Sequence, residues 1–202
     1  MIIAHKIELK PTLQQEKYFS KCCAVDRFTY NWALNRYNEQ LKIYKQSNLN
    51  KDKPNILNFK KEFNKIKYDS FVWVTEVTKC ASEQPFNNLR KAFSNFFNKI
   101  GELPKFHNKY KKNSFYLSND RFNIVDKRIK IPRLGFVKIK EKLKYKGKIL
   151  SATISSKGSK WFISINIDIS NNLEQINEFY QEKLNNNINL KDEIKVINFK
   201  KK

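Results

Sequence analysis

The amino-acid sequence predicts an α+β fold in which a sheet or barrel is interrupted by a helical insertion. Three observations support this prediction. A segment with two-residue alternation opens the chain, a long block with helical spacing follows, and five or six alternating segments come after Gly101. Strands that are separated from helices along the chain are typical of α+β proteins, in which helices cover one face of an antiparallel sheet.

The first element is predicted to be a strand, and the second a helix. Apolar or aromatic residues alternate with more polar ones at Ile3, His5, Ile7 and Leu9. Pro11 ends this pattern, and Thr12-x-x-Gln15 fits a capping box, in which the two side chains satisfy free N–H groups at a helix start. Helical spacing continues from there, and again from Arg27 to about Tyr44.

Two further helices are predicted before Gly101. Phe59, Phe63 and Ile66 share one helical face, and a third helix is predicted from Thr78 to Ile100. Its apolar face contains Leu89, Phe93, Phe96 and Ile100. Pro85 either lies inside this helix, at a cost of about 3 kcal/mol, or falls in the first turn of a helix that starts near Ser82.

The second half of the chain is predicted to contain the remaining strands. They cover Phe115–Leu117, Phe122–Val125, Arg128–Ile131, Leu134–Lys140, Leu150–Ser155 and Trp161–Ile169, with glycines 101, 135, 147 and 158 at the turns. Helical spacing returns at Glu174–Leu184, and Asn185-Asn186-Asn187 interrupts it.

The charge distribution favours a polyanionic partner. The net charge is +22, and residues 1–169 carry 35 basic against 14 acidic side chains. Between Leu103 and Lys148 there are 15 basic and 3 acidic side chains. Such a segment repels itself unless phosphates neutralise it, and the resulting affinity depends on salt. A compositional preference for Lys over Arg does not explain the shortage of acidic residues.

Other classes of protein fit the sequence poorly. No run of 18 apolar residues and no signal-peptide pattern is present. The chain has three cysteines, and an odd number of them fits a reducing compartment better than a disulfide framework. We therefore expect a cytoplasmic, nucleoid-associated protein that has no membrane partner.

Several strings, in order along the chain, resemble the TnpB-like (OrfB-type) family of transposon-encoded, RNA-guided nucleases. The most specific string is Arg27-Phe28-Thr29-Tyr30-Asn31-Trp32-Ala33-Leu34. The others are Lys6–Thr12, Ala92–Phe97, Leu103–Phe106, Ser114-Phe115, Ile129–Lys138, Gly147–Ile149 and Lys160–Ser164. Together they span about residues 1–167.

The resemblance implies a wedge-like β-barrel or sheet that is interrupted by a helical recognition lobe. Residues 1–12 would supply the first strand, residues 13–101 the lobe and residues 102–169 the remaining strands. Residues 170–202 would form a tail without family resemblance, partly helical or disordered. In such proteins this region holds a guide-RNA scaffold and reads a short motif on duplex DNA, and older descriptions call it a helix-turn-helix domain.

The catalytic motifs of the family are not found in this sequence. A RuvC-like domain would carry a Gly-Ile-Asp-x-Gly strand, later metal-binding carboxylates and a Cys-x-x-Cys zinc ribbon. Asp168 lies in an Ile-Asp-Ile string that resembles the first motif but lacks its flanking glycines. Asp192-Glu193 does not match a catalytic motif of the family either. The expectation is a truncated protein that binds without cutting and holds no metal or cofactor. An inert remnant, a DNA-binding repressor and one half of a split nuclease with a separate RuvC-like fragment remain alternatives.

Candidate nucleic-acid contacts fall into three groups. Charge and aromatics are interleaved at Lys105, His107, Lys109, Lys111 and Lys112, which could follow a phosphate backbone or form a solvated loop. Amides and hydroxyls suited to base edges stand at Gln84, Asn87, Ser118 and Asn119. The third group is Arg27, Tyr30, Asn31, Arg133, Lys138 and Lys140. Arg27, Tyr30 and Asn31 lie on a predicted helix, where Arg27 could contact a phosphate, and the run from Lys138 to Lys148 could present one charged strand face to RNA. We expect Phe28, Trp32, Phe93, Phe96 and Phe97 to belong to the core.

Overall fold

The computed structural model describes residues 1–110 and 113–185. Across these residues the chain forms four helices and seven strands. The helices are α1 (Leu13–Ser47), α2 (Ile56–Ile66), α3 (Lys79–Phe97) and α4 (Leu173–Asn185). The strands are β1 (Ile2–Lys10), β2 (Ser114–Ser118), β3 (Asn123–Val125), β4 (Arg128–Ile131), β5 (Gly135–Ile139), β6 (Lys148–Lys157) and β7 (Lys160–Asp168). The predicted α+β class and every predicted strand are confirmed.

All seven strands join one antiparallel sheet in the order β2-β6-β7-β1-β5-β4-β3. The N-terminal strand β1 lies near the middle, between β7 and β5, so the first and last strands are neighbours in the sheet. The edge strands β2 and β3 do not pair with each other in the described residues. The sheet is therefore open, and of the two predicted forms, barrel and sheet, the structure has the sheet.

Helix α1 connects the sheet to the other helices. The predicted capping box is present, with the Gln15 amide 3.3 Å from Thr12 Oγ1 and the Thr12 amide 3.0 Å from Gln15 Oε1. The two helical stretches predicted on either side of Arg27 form one unbroken helix of 35 residues. Its first turns pack on the sheet, where the Phe19 ring lies 5.1 Å from that of Trp161.

The start of helix α3 decides between the two positions predicted for it from the sequence. It starts at Lys79, directly after Thr78, so a start near Ser82 is wrong. Pro85 is the seventh helical residue and is buried. The helix therefore contains a proline in its second turn, at a position where a backbone hydrogen bond to the Ala81 carbonyl is lost.

One aromatic residue predicted for the core and one apolar residue predicted for the third helix are exposed. Phe93 is buried, but the Phe97 side chain is 65% exposed and stacks on the Phe93 ring at a centroid distance of 6.1 Å. Phe97 ends α3, and its ring lines a groove of about 600 Å³ between α1, α2 and the end of α3. Ile100 lies beyond the helix and is 75% exposed, so its predicted place on the apolar face of this helix is wrong.

The core has one sheet-facing part and one aromatic part between the helices. Buried side chains of the sheet and helices form one continuous cluster. Between the helices, Phe28 packs on Phe71 and Trp73, and Trp32 packs on Phe63. The core positions predicted for Phe28 and Trp32 are confirmed, with both side chains half-buried.

Helix α4 docks on the loop between β5 and β6. The Phe179 ring lies 6.2 Å from that of Tyr145, and Glu182 pairs with Lys144. This confirms the helix predicted over Glu174–Leu184. Residues 186–202, including Asp192-Glu193, lie outside the described part of the chain.

Candidate nucleic-acid interface

A basic loop, of which the structure describes residues 102–110 and 113, connects α3 to β2 and is fixed to the middle of α1. The His107 amide donates to Asn31 Oδ1 at 2.8 Å, and Asn31 Nδ2 donates to the His107 carbonyl at 2.9 Å. The Tyr30 and His107 rings stack with centroids 3.7 Å apart and planes 13° apart. This paired hydrogen bond and ring stack hold the middle of the loop against the helix.

The predicted contacts Tyr30 and Asn31 thus have internal partners. The Tyr30 side chain is only 4% exposed, and its burial raises the pKa of the hydroxyl. Both polar ends of the Asn31 amide are engaged by the loop backbone. The structure gives these residues a positioning role, in which they present the rest of the loop to solvent.

The exposed part of the loop carries cations and aromatic rings. Lys105 and Lys109 are exposed, and the Lys109 ammonium lies 5.5 Å from the centroid of the Tyr110 ring. Phe106 is also exposed, which the sequence prediction did not include. Lys105 forms a surface ion pair with Glu102 at 2.6 Å, which contributes little because water and salt screen it. The predicted Lys111 and Lys112 lie outside the described residues.

Arg27 lies one turn before the Asn31 contact, at the far end of the same loop. Its Nη1 is 3.3 Å from Asn113 Oδ1, and the side chain is half-buried. Asn113 in turn donates to Ser156 on β6. Polar contacts therefore link the loop to α1 at its middle and to both α1 and the sheet at its far end.

The start of α3 lies against the end of β2, and the predicted base-edge residues are divided between α3 and the end of β2. Cys80 Sγ lies 3.5 Å from Ser118 Oγ, and Cys80, Gln84 and Asn87 share one face of α3 at spacings of four and three residues. Gln84 Nε2 donates to Asn88 at 3.2 Å, whereas Asn87 and Asn119 are exposed. The structure therefore brings the beginning of this helix face to the end of β2.

The three predicted cations of the β5 region have different surroundings. Arg133 has a φ of 64°, and its guanidinium donates to the Thr75 carbonyl, so it joins the helical part to the sheet. Lys138 and Lys140 are exposed, and Lys140 Nζ is 3.2 Å from Glu8 Oε2. Beyond Ile139 the lysine-rich run leaves the strand and forms the loop to β6.

Lys138 belongs to the sheet face that points away from α1, which we call the open face. Directly paired residues share a face, and the register pairs Lys10 with Lys138, Lys138 with Arg128, and Phe136 with Lys130. On β7 and β1 the same face holds Phe162 opposite Glu8. Sequence reasoning missed most of these residues, namely Lys6, Lys10, Arg128, Lys130, Phe136 and Phe162.

Glu8 is the acidic centre of this basic surface. Its carboxylate lies 2.8 Å from Lys10, 3.2 Å from Lys140 and 4.0 Å from Lys160. Hydrogen bonds from Lys10 and Lys140 lower its pKa to about 2. The carboxylate therefore stays charged at neutral pH and offsets part of the surrounding positive charge.

Asp168 has local partners at the end of β7. Ser170 donates to it from both its hydroxyl and its amide, the latter at 2.9 Å, and the N-terminal ammonium lies 3.3 Å away. The Ser170 hydrogen bonds and the ammonium lower the pKa of Asp168 to about 2. Within residues 1–110 and 113–185, no three His, Cys, Asp or Glu side chains are grouped closely enough to hold a metal ion. No helix in these ranges is long and apolar enough to cross a membrane.

Comparison with known proteins gives two matches. Residues 1–46 match the family model of the helix-turn-helix domain HTH_OrfB_IS605. In this structure the matched segment is β1 followed by α1, which runs unbroken to Ser47.

The second match covers more of the chain. It is 26% identical over 163 residues to InsQ of Escherichia coli (strain K12), whose name describes an RNA-guided DNA endonuclease. The alignment covers 80% of this chain and 39% of InsQ. The resemblance to TnpB-like proteins is therefore confirmed: the chain has an N-terminal segment matching the OrfB-type helix-turn-helix domain and is similar over most of its length to a TnpB-like endonuclease.

Proposed function

We propose that this chain is the nucleic-acid-binding portion of a transposon-associated, TnpB-like protein. It binds structured RNA, duplex DNA or both, mainly through phosphate contacts. The observation that carries this proposal is the concentration of 15 basic and 3 acidic side chains between Leu103 and Lys148. Much of this segment forms the basic loop and the β4–β5 part of the open face.

Pre-ordering of the loop supports the proposal. A loop that is fixed before binding loses less conformational entropy when a ligand immobilises it. The Asn31 hydrogen bonds and the Tyr30 stack fix the loop at its centre. Lys105 and Lys109 then project from an ordered backbone and release counterions when they meet phosphates.

The base-edge group provides a candidate for sequence recognition. Asn119 is an exposed amide directly after β2, and Asn87 is an exposed amide on α3, two turns beyond Cys80, which contacts the end of β2. Amide side chains can form two hydrogen bonds with adenine in a major groove. In this proposal the junction of α3 and β2 reads a short DNA motif, while the lysines provide affinity without sequence preference.

Cleavage is not assigned to the residues described here. In this proposal the chain binds without cutting, and any phosphodiester hydrolysis depends on a RuvC-like fragment acting with it. The similarity to InsQ covers 39% of that protein, so its whole activity is not transferred to this chain.

The test measures binding by fluorescence anisotropy to a duplex DNA and to a structured RNA at several salt concentrations. Between about 50 and 200 mM salt, we expect the affinity for either ligand to fall steeply. The double variant Lys105→Ala, Lys109→Ala should weaken binding and reduce the magnitude of the slope of log K against log salt by up to about 2. Absence of binding to both ligands at low salt would overturn the proposal.

A matched control uses two exposed lysines near the C-terminal end of α1. The double variant Lys42→Ala, Lys45→Ala removes the same charge roughly 20 Å from Asn31 along the helix. It should leave the affinity closer to that of the parent chain. Equal loss in both double variants would mean that net charge, and not the loop, determines binding. Salt-resistant binding to one duplex sequence would instead favour a repressor.

A further inference from the structure

The open face combines two outward-facing aromatic rings, of which Phe136 is exposed and Phe162 partly buried, with many cations. In β-strands facing a core on one side, side chains on the other side are normally polar. Phe136 on β5 and Phe162 on β7 occupy such outward positions, and Phe136 is 47% exposed. Neither ring is required by the buried face, whose alternation is already complete in both strands.

Each ring is accompanied by a cation. Lys6 Nζ lies 4.6 Å from the centroid of Phe162. The Arg128 guanidinium lies 5.2 Å from the centroid of Phe136, with Lys130 Nζ at 6.0 Å. Both rings thus lie among groups that can bind phosphates, and neither belongs to the hydrophobic core formed by the described residues.

A depression beside Phe162 has room for a planar ligand. It has a volume of about 550 Å³ and is lined by Lys6, Glu8, Lys140, Glu141 and Phe162. Its walls combine one aromatic ring, two ammonium groups and two carboxylates. A nucleobase could stack on the ring while its adjoining phosphate meets a lysine.

The space between the two rings is bordered by further lysines. Phe162 is opposite Glu8 on β1, and Lys10 on the same strand is opposite Lys138 on β5. Strand spacing and rise place the two rings roughly 16 Å apart across the open face. A strand that spans them would pass Lys10, Lys138 and Lys140.

We propose that the open face binds an unpaired stretch of RNA or DNA, with one base stacked on Phe162 in the depression and another on Phe136. This inference rests on the proposed nucleic-acid-binding function and assigns unpaired strands to one part of it. Stacking on side chains requires bases whose faces are accessible, and in a duplex those faces are covered by neighbouring base pairs. The open face therefore discriminates single strands from duplexes, whereas the basic loop does not.

The experiment compares Phe162→Ala and Phe136→Ala with the parent chain. Ligands are unstructured RNA and DNA oligonucleotides of about 12 nucleotides, and the duplex of the same DNA sequence. Each substitution should weaken single-strand binding about 5- to 100-fold and leave duplex binding nearly unchanged. The RNA and DNA arms show which kind of strand is preferred.

Phe97→Ala is the matched control, because Phe97 is an exposed phenylalanine on α3, away from the open face. Phe97→Ala should change neither the single-strand affinity nor the duplex affinity. Phe162→Leu keeps an apolar side chain without an aromatic face, so a loss of single-strand binding with unchanged thermal unfolding separates stacking from folding. An oligonucleotide containing 2-aminopurine should also lose fluorescence on binding the parent chain and less so on binding Phe162→Ala.

The outcomes distinguish this inference from the function on which it rests. If the parent chain binds no nucleic acid, the proposed function fails. If it binds duplex and single strands but both phenylalanine variants bind single strands as tightly as Phe97→Ala does, the open-face inference is overturned and the proposed function stands.

Discussion

At the scale of single residues, the interface depends on side chains whose neighbours change their role. Asn31 was a candidate ligand contact, and its amide instead holds the loop backbone. Glu8 is a single carboxylate among three lysines. Asn31 and Glu8 both have partners that are distant in sequence, namely His107 for Asn31 and Lys140 and Lys160 for Glu8.

Removing the Glu8 charge should strengthen nucleic-acid binding. In Glu8→Gln the three neighbouring lysines lose their counter-charge, so the open face attracts phosphates more strongly. We expect tighter binding at low salt and a smaller gain at high salt, where screening is stronger. Anisotropy at two salt concentrations measures this, and a variant that binds more weakly at both would contradict the prediction.

The same carboxylate predicts a dependence of stability on pH. Its pKa is about 2 in the folded chain, below its ordinary value of 4.5. The contribution of Glu8 to the free energy of unfolding is thus fully present above pH 4.5 and is lost as the pH falls through 2. Denaturant unfolding at several pH values should show less acid destabilisation in Glu8→Gln than in the parent chain.

Asn31→Ala should release the basic loop. The substitution removes both hydrogen bonds to the His107 backbone, which is expected to lower the free energy of unfolding by about 1–3 kcal/mol. Limited proteolysis should then cut residues 102–113 faster. Asn31→Asp can accept from the His107 amide but cannot donate to the His107 carbonyl. Its rate of proteolysis should therefore lie between those of the parent chain and Asn31→Ala. Proteolysis at the parent rate in Asn31→Ala would show that the Tyr30 stack alone holds the loop.

At the scale of elements, α1 organises the molecule and α3 contains a proline in its second turn. Helix α1 packs on the sheet at Phe19, contacts α2 and α3 further along, and holds the basic loop in between. Its 35 residues span roughly 50 Å, so one helix reaches all of these sites. In α3, tertiary packing keeps Pro85 inside the helix despite its missing N–H.

Pro85→Ala should therefore stabilise the chain. Restoring the N–H to the Ala81 carbonyl and removing the ring clash is worth about 3 kcal/mol. The loss of a few buried methylene contacts offsets about 1–2 kcal/mol of this gain. We expect a net increase of about 1–2 kcal/mol in the free energy of unfolding by denaturant titration.

Pro54→Ala provides the control for this prediction. Pro54 precedes the N-cap Asn55 and lies outside any helix, so its replacement should not stabilise the chain. A lower stability of Pro85→Ala than of the parent chain would mean that the ring fills space in the core that alanine leaves empty.

At the scale of the whole molecule, a net charge of +22 destabilises the compact state through self-repulsion. A polyanion that binds only the folded chain offsets this repulsion. At a free ligand concentration of about 100 times the dissociation constant, binding adds about 2.7 kcal/mol, which corresponds to a rise in Tm of roughly 5–10 °C. Thermal unfolding with and without a single-stranded oligonucleotide measures the shift, and an unchanged Tm under saturating binding would indicate equal affinity for the unfolded chain.

The sequence by itself determined most of the secondary structure. Alternation in segments such as Ile3–Leu9 and Trp161–Ile169 predicted strands because a half-buried strand needs two-residue periodicity. The capping box at Thr12 predicted the start of α1 because it is a purely local hydrogen-bond pattern. The charge of the segment around Lys105 also predicted a nucleic-acid ligand, because net charge can be counted from the sequence without knowing the fold.

Only the tertiary structure decided which candidates are free to meet a ligand. Tyr30 and Asn31 are turned inward by a loop more than 70 residues away in sequence, and Phe136 and Phe162 share one face because β1 pairs between β5 and β7. The sequence did show aromatic residues at strand positions where the alternation predicts outward-facing polar side chains. Periodicity alone, however, does not show which strands are neighbours. Strand order and long-range contacts arise from packing of the whole chain, so they created the open face from residues that no local pattern joins.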